Sequence, residues 1–229
     1  MIKHQYSVTN ALAKWLKTDL PRLPAAPGQQ VGVQSISSTD TQMCWQLHII
    51  ANSYGSRHKT IIATEANSRF TVFIPVDMLM TLEQLAKRLQ MEWQFVLAES
   101  LQLHSELPPS DSVQLLSDLS DLPVITEWIK NTDLSVNGHV ADAGLWVTDT
   151  LADRKLAALP PLLALELAIH VNTQPKRIKK SRRTIIPLQQ MLAYCLSILN
   201  SGDAQQGQVV DDELRSNKSN VVSINDFRK

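Results

Sequence analysis

The sequence contains few cysteines and no long apolar run. Only Cys44 and Cys195 occur among its 229 residues, far apart and in no metal-binding spacing, so we expect two reduced, buried thiols. No stretch of about 18 consecutive apolar residues is present, which argues against a membrane-spanning helix. The first residues, MIKHQYSVTN, also lack the apolar run of a signal peptide. We therefore expect a soluble, bacterial-style cytoplasmic protein with no membrane partner.

The motifs that mark common enzyme classes are missing as well. The chain contains no glycine-rich phosphate loop and neither an HExxH nor a GxSxG motif, and its six histidines form no cluster. We therefore expect no cofactor and no bound metal. The sequence favours a protein without enzymatic activity, although it leaves an enzyme open as an alternative.

The charged residues balance overall but are distributed unevenly. Residues 1–173 carry 12 lysines and arginines against 17 acidic residues, whereas residues 174–183 carry six basic residues and no acidic one. Residues 184–229 are close to neutral, with four basic and five acidic residues. A mildly acidic body with one concentrated basic segment indicates a polyanionic partner for that segment.

Residues 42–76 predict a small antiparallel sheet. Three short runs, MCWQLHII, KTIIATEA and RFTVFIPV, are rich in β-branched and aromatic residues and are separated by the turn-like ANSYGSRH and ANS. Polar and apolar residues alternate in the first run, as expected for a strand with one wetter face. We interpret the three runs as a β-meander packed with helices in an α+β protein.

The rest of the chain favours helices. Residues 8–18 show the helical spacing of apolar residues, and Thr81 with Gln84 forms a capping-box pattern ahead of a long amphipathic helix that we expect to reach His104. Residues 163–172 suit either a helix or a buried strand, and periodicity does not separate the two. Further helices are predicted over residues 112–120, 123–130, 142–159 and 187–200.

These elements divide the chain into four predicted parts. Residues 1–173 are expected to form the α+β globular domain, and residues 174–186 a basic linker that acts as a hinge. A short helix (187–200) and a mobile tail (201–229) with an apolar terminal peptide then form a detachable C-terminal extension.

The polar stretch NTDLSVNGHVADA contains the catalytic candidates. Asp133, His139 and Asp142 can transfer protons, and the last two can share one helical turn, so a hydrolase or nuclease is an alternative function. The same stretch suits a turn and a helix start, with Gly138 at a positive φ and the helix beginning at His139 or Ala141. We favour this structural interpretation.

The stretch also resembles a motif of a family of small bacterial proteins with a domain of unknown function. In that family a threonine and Asp or Asn residues precede Arg-Ser-Val-x-Gly-x-x-x-Asp, and this chain is similar at Thr132, Ser135, Val136, Gly138 and Asp142. The resemblance covers roughly residues 5–175, through a short helix, a tryptophan-led hairpin and a long helix. It implies a fold and no particular reaction. Leu134 stands where the family has an arginine, so any anion-binding role of that arginine is lost here.

Two segments offer candidate partner-binding surfaces. The run PKRIKKSRR suits the backbone of a nucleic acid or an acidic protein through Lys176, Arg177, Lys179, Lys180, Arg182 and Arg183. The terminal peptide VVSINDFRK suits a partner's groove through Val221, Val222, Ile224 and Phe227. We favour a non-enzymatic interaction module that acts through the basic run, with a protein adaptor that acts through the terminal peptide as an alternative.

Overall fold

The computed structural model describes residues 1–25, 27–28, 30–104, 107–178 and 183–201. The α+β class is confirmed by a five-stranded sheet of order β4-β3-β2-β1-β5 and a separate β6-β7 hairpin, together with helices. In chain order the elements are β1 (Ile2–Val8), α1 (Asn10–Leu16), β2 (Gln42–Ala51), β3 (Lys59–Glu65), β4 (Thr71–Val76), α2 (Leu82–His104), α3 (Pro109–Asp121), β5 (Val124–Lys130), α4 (Leu134–Asp153), α5 (Pro161–Thr173), β6 (Lys176–Ile178), β7 (Arg183–Ile185) and α6 (187–201).

The predicted meander is confirmed as β2, β3 and β4, which pair antiparallel in that order. Its β-branched and aromatic residues are mostly buried, which explains why they predicted strands. Successive side chains of β2 point to opposite faces of the sheet. Trp45 meets Trp93 of α2 on one face, with ring centroids 6.3 Å apart, and Ile50 approaches Gly144 of α4 on the other.

Two further strands make the sheet mixed rather than purely antiparallel. β1 pairs in parallel with both β2 and β5. The helix predicted over 123–130 is wrong, because these residues form β5. Val124–Thr126 are all β-branched, which favours a strand, and β1 supplies the backbone partners that such a strand requires. Pro123, interpreted as the first residue of a helix, instead accepts a hydrogen bond from Ile2 N at 2.9 Å.

The helices predicted in the first half of the chain are confirmed. Thr9 caps α1 through its hydroxyl group. Thr81 N donates to Gln84 Oε1 at 2.9 Å, and Gln84 N donates to Thr81 Oγ1 at 3.1 Å, which is the reciprocal pairing of a capping box. α2 ends at His104 as predicted, and α3 includes the short helix predicted over 112–120.

α4 differs from its prediction at both ends. It begins at Leu134, ahead of the predicted start at His139 or Ala141, because the cap is supplied earlier in the chain. Gly138 therefore lies inside the helix and does not have the positive φ that we predicted. The helix ends at Asp153, six residues before the predicted limit.

α5 resolves the choice left open for residues 163–172 in favour of a helix. It packs along β4, which is one edge of the sheet. The Asn172 amide accepts from Thr71 N at 2.7 Å and donates to Thr71 O at 2.8 Å. This side chain therefore takes the place that a neighbouring strand would occupy at that residue.

α6 packs on the body of the protein, which differs from the predicted detachable extension. Tyr194 Oη lies 2.8 Å from Thr39 O and 2.9 Å from Gln42 O, at the start of β2. Cys44 and Cys195 are free and buried, as predicted. The α6 side chains that belong to the hydrophobic core are Leu188, Met191, Cys195 and Ile198.

Candidate functional site

Asp133, the first catalytic candidate, caps α4. Its Oδ1 accepts from Ser135 N at 2.7 Å and Val136 N at 3.4 Å, and its Oδ2 accepts from Ile36 N at 2.9 Å. The residue is 2% exposed. Because the carboxylate is buried and bonded to three backbone donors, it stabilises the start of α4 and the loop that crosses it.

His139 and Asp142 lie farther along α4 and do not meet Asp133 in one site. The two aspartates are nine positions apart, which corresponds to about 13 Å along a helix axis. His139 is half-buried, whereas Asp142 is exposed and interacts electrostatically with Lys176. Within the described ranges, no group of three or more His, Cys, Asp or Glu residues is arranged to hold a metal ion. The geometry therefore gives the hydrolase alternative no support.

Side chains from the sheet hold the polar loop ahead of α4. Gln46 is fully buried; its Nε2 donates to Ser7 O at 2.9 Å and to Asn131 O at 3.1 Å, and its Oε1 accepts from Asp133 N at 2.8 Å. The Asn131 amide bonds to both backbone polar groups of Gln34, at 2.9 and 2.8 Å. These contacts support the structural interpretation of the stretch.

A buried charged cluster that sequence reasoning missed lies beside the same helix start. Glu65 is fully buried and accepts from Ser68 Oγ at 2.5 Å and Ser68 N at 2.6 Å. Arg69 has a φ of 62° and its Nη2 donates to Ser135 Oγ at 3.4 Å. Burial lowers the pKa of Arg69, while the charges of Asp133 and Glu65 oppose that shift. The turn sequence EANSR has the composition of a solvated turn, so no local signal indicated its burial.

The basic run lies partly in the β6-β7 hairpin. The antiparallel register places Ile178 opposite Arg183 and Arg177 opposite Thr184. Since alternate residues point to opposite faces of a ribbon, Arg177 and Arg183 lie on different faces, and both are exposed. Three basic candidates lie outside the described residues: Lys179, Lys180 and Arg182.

The base of this hairpin is attached to the body of the protein. Lys176 is half-buried; burial lowers its pKa, and the neighbouring Asp142 carboxylate opposes that shift. Ile185 at the end of β7 is 8% exposed. The segment therefore has an anchored base, and along the chain it connects α5 to α6, both of which contribute buried residues to the core.

The C-terminal candidates Val221, Val222, Ile224 and Phe227 lie outside the described residues, so their partner-binding role stays a prediction. None of the helices in the described ranges is long and apolar enough to cross a membrane. No family model, no curated protein and no solved structure matches this chain. The resemblance to a bacterial family accordingly stays a prediction as well.

Proposed function

We propose that this chain binds the phosphate backbone of duplex DNA through its basic hairpin, residues 176–185. The observation that best supports the proposal is the strand register, which puts Arg177 and Arg183 on opposite faces of one ribbon. The major groove of B-DNA admits a two-stranded β-ribbon and has phosphates along both of its walls. A ribbon with cations on both faces can therefore form ion pairs with the phosphates of this groove.

The charge distribution supports the same partner. All six basic residues of the run lie within 176–183 without an acidic residue, whereas residues 1–173 have five more acidic than basic residues. The acidic body and DNA repel each other, which leaves the hairpin as the favoured contact. If all six cations meet phosphates, a rise in salt from about 50 to about 200 mM should weaken binding roughly a thousandfold.

The test is the affinity of the full chain for a fluorescently labelled DNA duplex across that salt range, measured by anisotropy. In the Arg177→Glu/Arg183→Glu variant two cations become anions, so we expect at least about a tenfold loss of affinity. The slope of log affinity against log salt should also fall, by the amount that about two phosphate contacts contribute. The matched control is Lys14→Glu/Arg57→Glu, which makes the same change in net charge at two exposed positions on other parts of the protein.

Equal affinities of the two double variants would contradict the proposal. Failure of the full chain to bind at about 50 mM salt would exclude DNA and favour an acidic protein partner for the same cations. His139→Ala should leave DNA affinity unchanged. Substitution is a cleaner test than removing residues after 173, because truncation would also delete the four core side chains of α6.

A further inference from the structure

The two edges of the five-stranded sheet differ in how their backbones are covered. At the β4 edge, α5 packs along the strand and Asn172 bonds to both backbone polar groups of Thr71. Pro75 in the same strand has no N–H to leave unpaired. These features protect β4 from pairing with another strand. The opposite edge, β5, is covered at its last residue, where Arg22 forms a parallel bridge with Lys130, whereas residues 124–128 have no comparable cover among the described residues.

The orientation of the β5 backbone follows from its hydrogen bonds. Asn131 N donates inward to Val8 O of β1 at 3.1 Å, whereas Lys130 N donates outward to Pro21 O at 2.7 Å. Since backbone groups alternate along a strand, the preceding even-numbered residues also direct their N–H and C=O groups outward. Those residues are Val124, Thr126 and Trp128, and no backbone hydrogen bond to these outward groups is present within the described ranges.

The side chains of β5 leave apolar surface at this edge. Ile125 is 51% exposed, which is unusual for an isoleucine in a strand of a five-stranded sheet. Thr126 is exposed, and Val124 and Trp128 are half-buried. An edge strand with free backbone groups and exposed apolar side chains is a template for pairing with another chain.

We propose that β5 pairs with β5 of a second copy of this chain, antiparallel and centred on Thr126. A two-fold axis at that residue places Thr126 opposite its own copy and Val124 opposite Trp128 of the second copy. Thr–Thr pairs and aromatic–β-branched pairs are among the cross-strand pairs that stabilise antiparallel sheets. The three outward residues of each strand then form hydrogen-bonded pairs, and two five-stranded sheets become one.

The other face of the paired strands is also compatible with this register. There Ile125 lies opposite Glu127 of the second copy. The Glu127 carboxylate is already bonded to Lys3 Nζ at 2.9 Å and Gln5 Nε2 at 2.8 Å. The pairing therefore brings no unpaired charge against the isoleucine. The ladder ends at Trp128, because the next outward residue, Lys130, already pairs with Pro21 and Arg22 of its own chain.

Cysteine cross-linking of the full chain tests the register. In a hydrogen-bonded antiparallel pair the opposed Cα atoms are about 5.5 Å apart, within the range of a disulfide, so Thr126→Cys should form a dimer under mild oxidation. Ile125→Cys is the matched control, because its two copies would lie about 8 Å apart and should not cross-link. Both native cysteines are buried and do not compete. Equal cross-linking of the two variants would overturn the proposal.

Sedimentation velocity tests the association itself. Thr126→Pro removes an outward N–H and no bond to β1, so the fold should persist, as circular dichroism can check. We expect the full chain and Thr126→Val to dimerise with rising concentration and Thr126→Pro to stay monomeric. A dimer that survives Thr126→Pro, or a full chain that stays monomeric, would overturn the proposal. If Thr126→Pro does not fold, the cross-linking result decides.

Amide exchange distinguishes the second copy from the chain's own C-terminal peptide. Protection of the Thr126 and Trp128 amides that increases with concentration supports the proposal. Protection that is independent of concentration and is lost on Val222→Asp/Ile224→Asp would assign the edge to residues 221–229 and overturn it. Neither outcome depends on DNA binding by the hairpin.

Discussion

Acidification should destabilise this protein through His4, a core residue of β1. His4 is 2% exposed, its Nδ1 lies 3.2 Å from Tyr6 Oη, and its ring lies against that of Trp93. Burial lowers the pKa of His4 to about 4, because an imidazolium at this position loses its hydration. In the unfolded chain the pKa is close to 6.5.

The sign and size of the effect follow from these two values. Between about pH 6.5 and 4 the unfolded chain binds the proton that the folded chain does not, so the free energy of unfolding falls as the pH falls. Each pH unit in that window costs about 1.4 kcal/mol. Between pH 7 and pH 4.5 the loss from His4 alone is about 2 kcal/mol, a substantial share of the stability of a typical domain.

Urea unfolding at both pH values, for the full chain and for His4→Phe, isolates this contribution. Other groups that titrate in the window affect both proteins alike, so His4→Phe should lose about 2 kcal/mol less stability on acidification. His104→Phe is the matched control, because it replaces an exposed histidine instead of a buried one. We expect this variant to keep the full pH dependence of the original chain. Identical losses in the full chain and His4→Phe would refute the reasoning.

Two further changes test the packing of α4. Asp133→Ala should lower the free energy of unfolding in urea by about 1–3 kcal/mol, because it removes a helix cap and leaves a buried N–H unpaired. The control Asp142→Ala, on the exposed face, should change this free energy by less than about 0.5 kcal/mol. Gly144→Ala should raise the melting temperature, because an added Cβ meets Ile62 Cδ1 at 3.5 Å and alanine favours helices by up to about 1 kcal/mol. Gly144→Leu should lower it through overpacking, and a stabilised Leu variant would contradict the packing described.

Elements that depend on neighbouring residues in the chain could be predicted from sequence. The capping box of Thr81 and Gln84 and the helical spacing behind it are local patterns, and both recur in α2. The meander was likewise predictable, because β-branched runs separated by short turns pair with the next strand along the chain. The positions of α1 and α3 follow from the same kind of signal.

Elements that depend on distant partners could not be predicted in this way. The β5 segment was interpreted as a short helix because it follows a proline, although its β-branched residues favour a strand. Its strand partner, β1, lies more than a hundred residues away in the chain. β1 was not predicted at all, although both of its neighbours in the sheet pair with it along its length. Pairings at such sequence separation leave no periodic signal beyond the β-branched composition itself.

The candidate site shows the same division. The sequence located the polar stretch and favoured a structural role for it, and the hydrogen bonds of Asp133 agree with that interpretation. It could not show that Gln46 and Ile36, from distant parts of the chain, form hydrogen bonds with Asp133. Nor did it show that Glu65 and Arg69 are buried beside it, because a charged turn has the same composition whether or not another helix covers it.

The sequence by itself therefore determined the α+β class, the starts of α1, α2 and α6, the central meander and the concentration of positive charge near residue 180. Each of these depends on composition or on residues within one or two turns. The tertiary structure decided the parallel strands, the docking of α6 and the burial of the charged cluster, because each depends on contacts between residues far apart in the chain. It also decided that Arg177 and Arg183 lie on opposite faces of a ribbon, since a strand register is a property of two paired segments and not of either one.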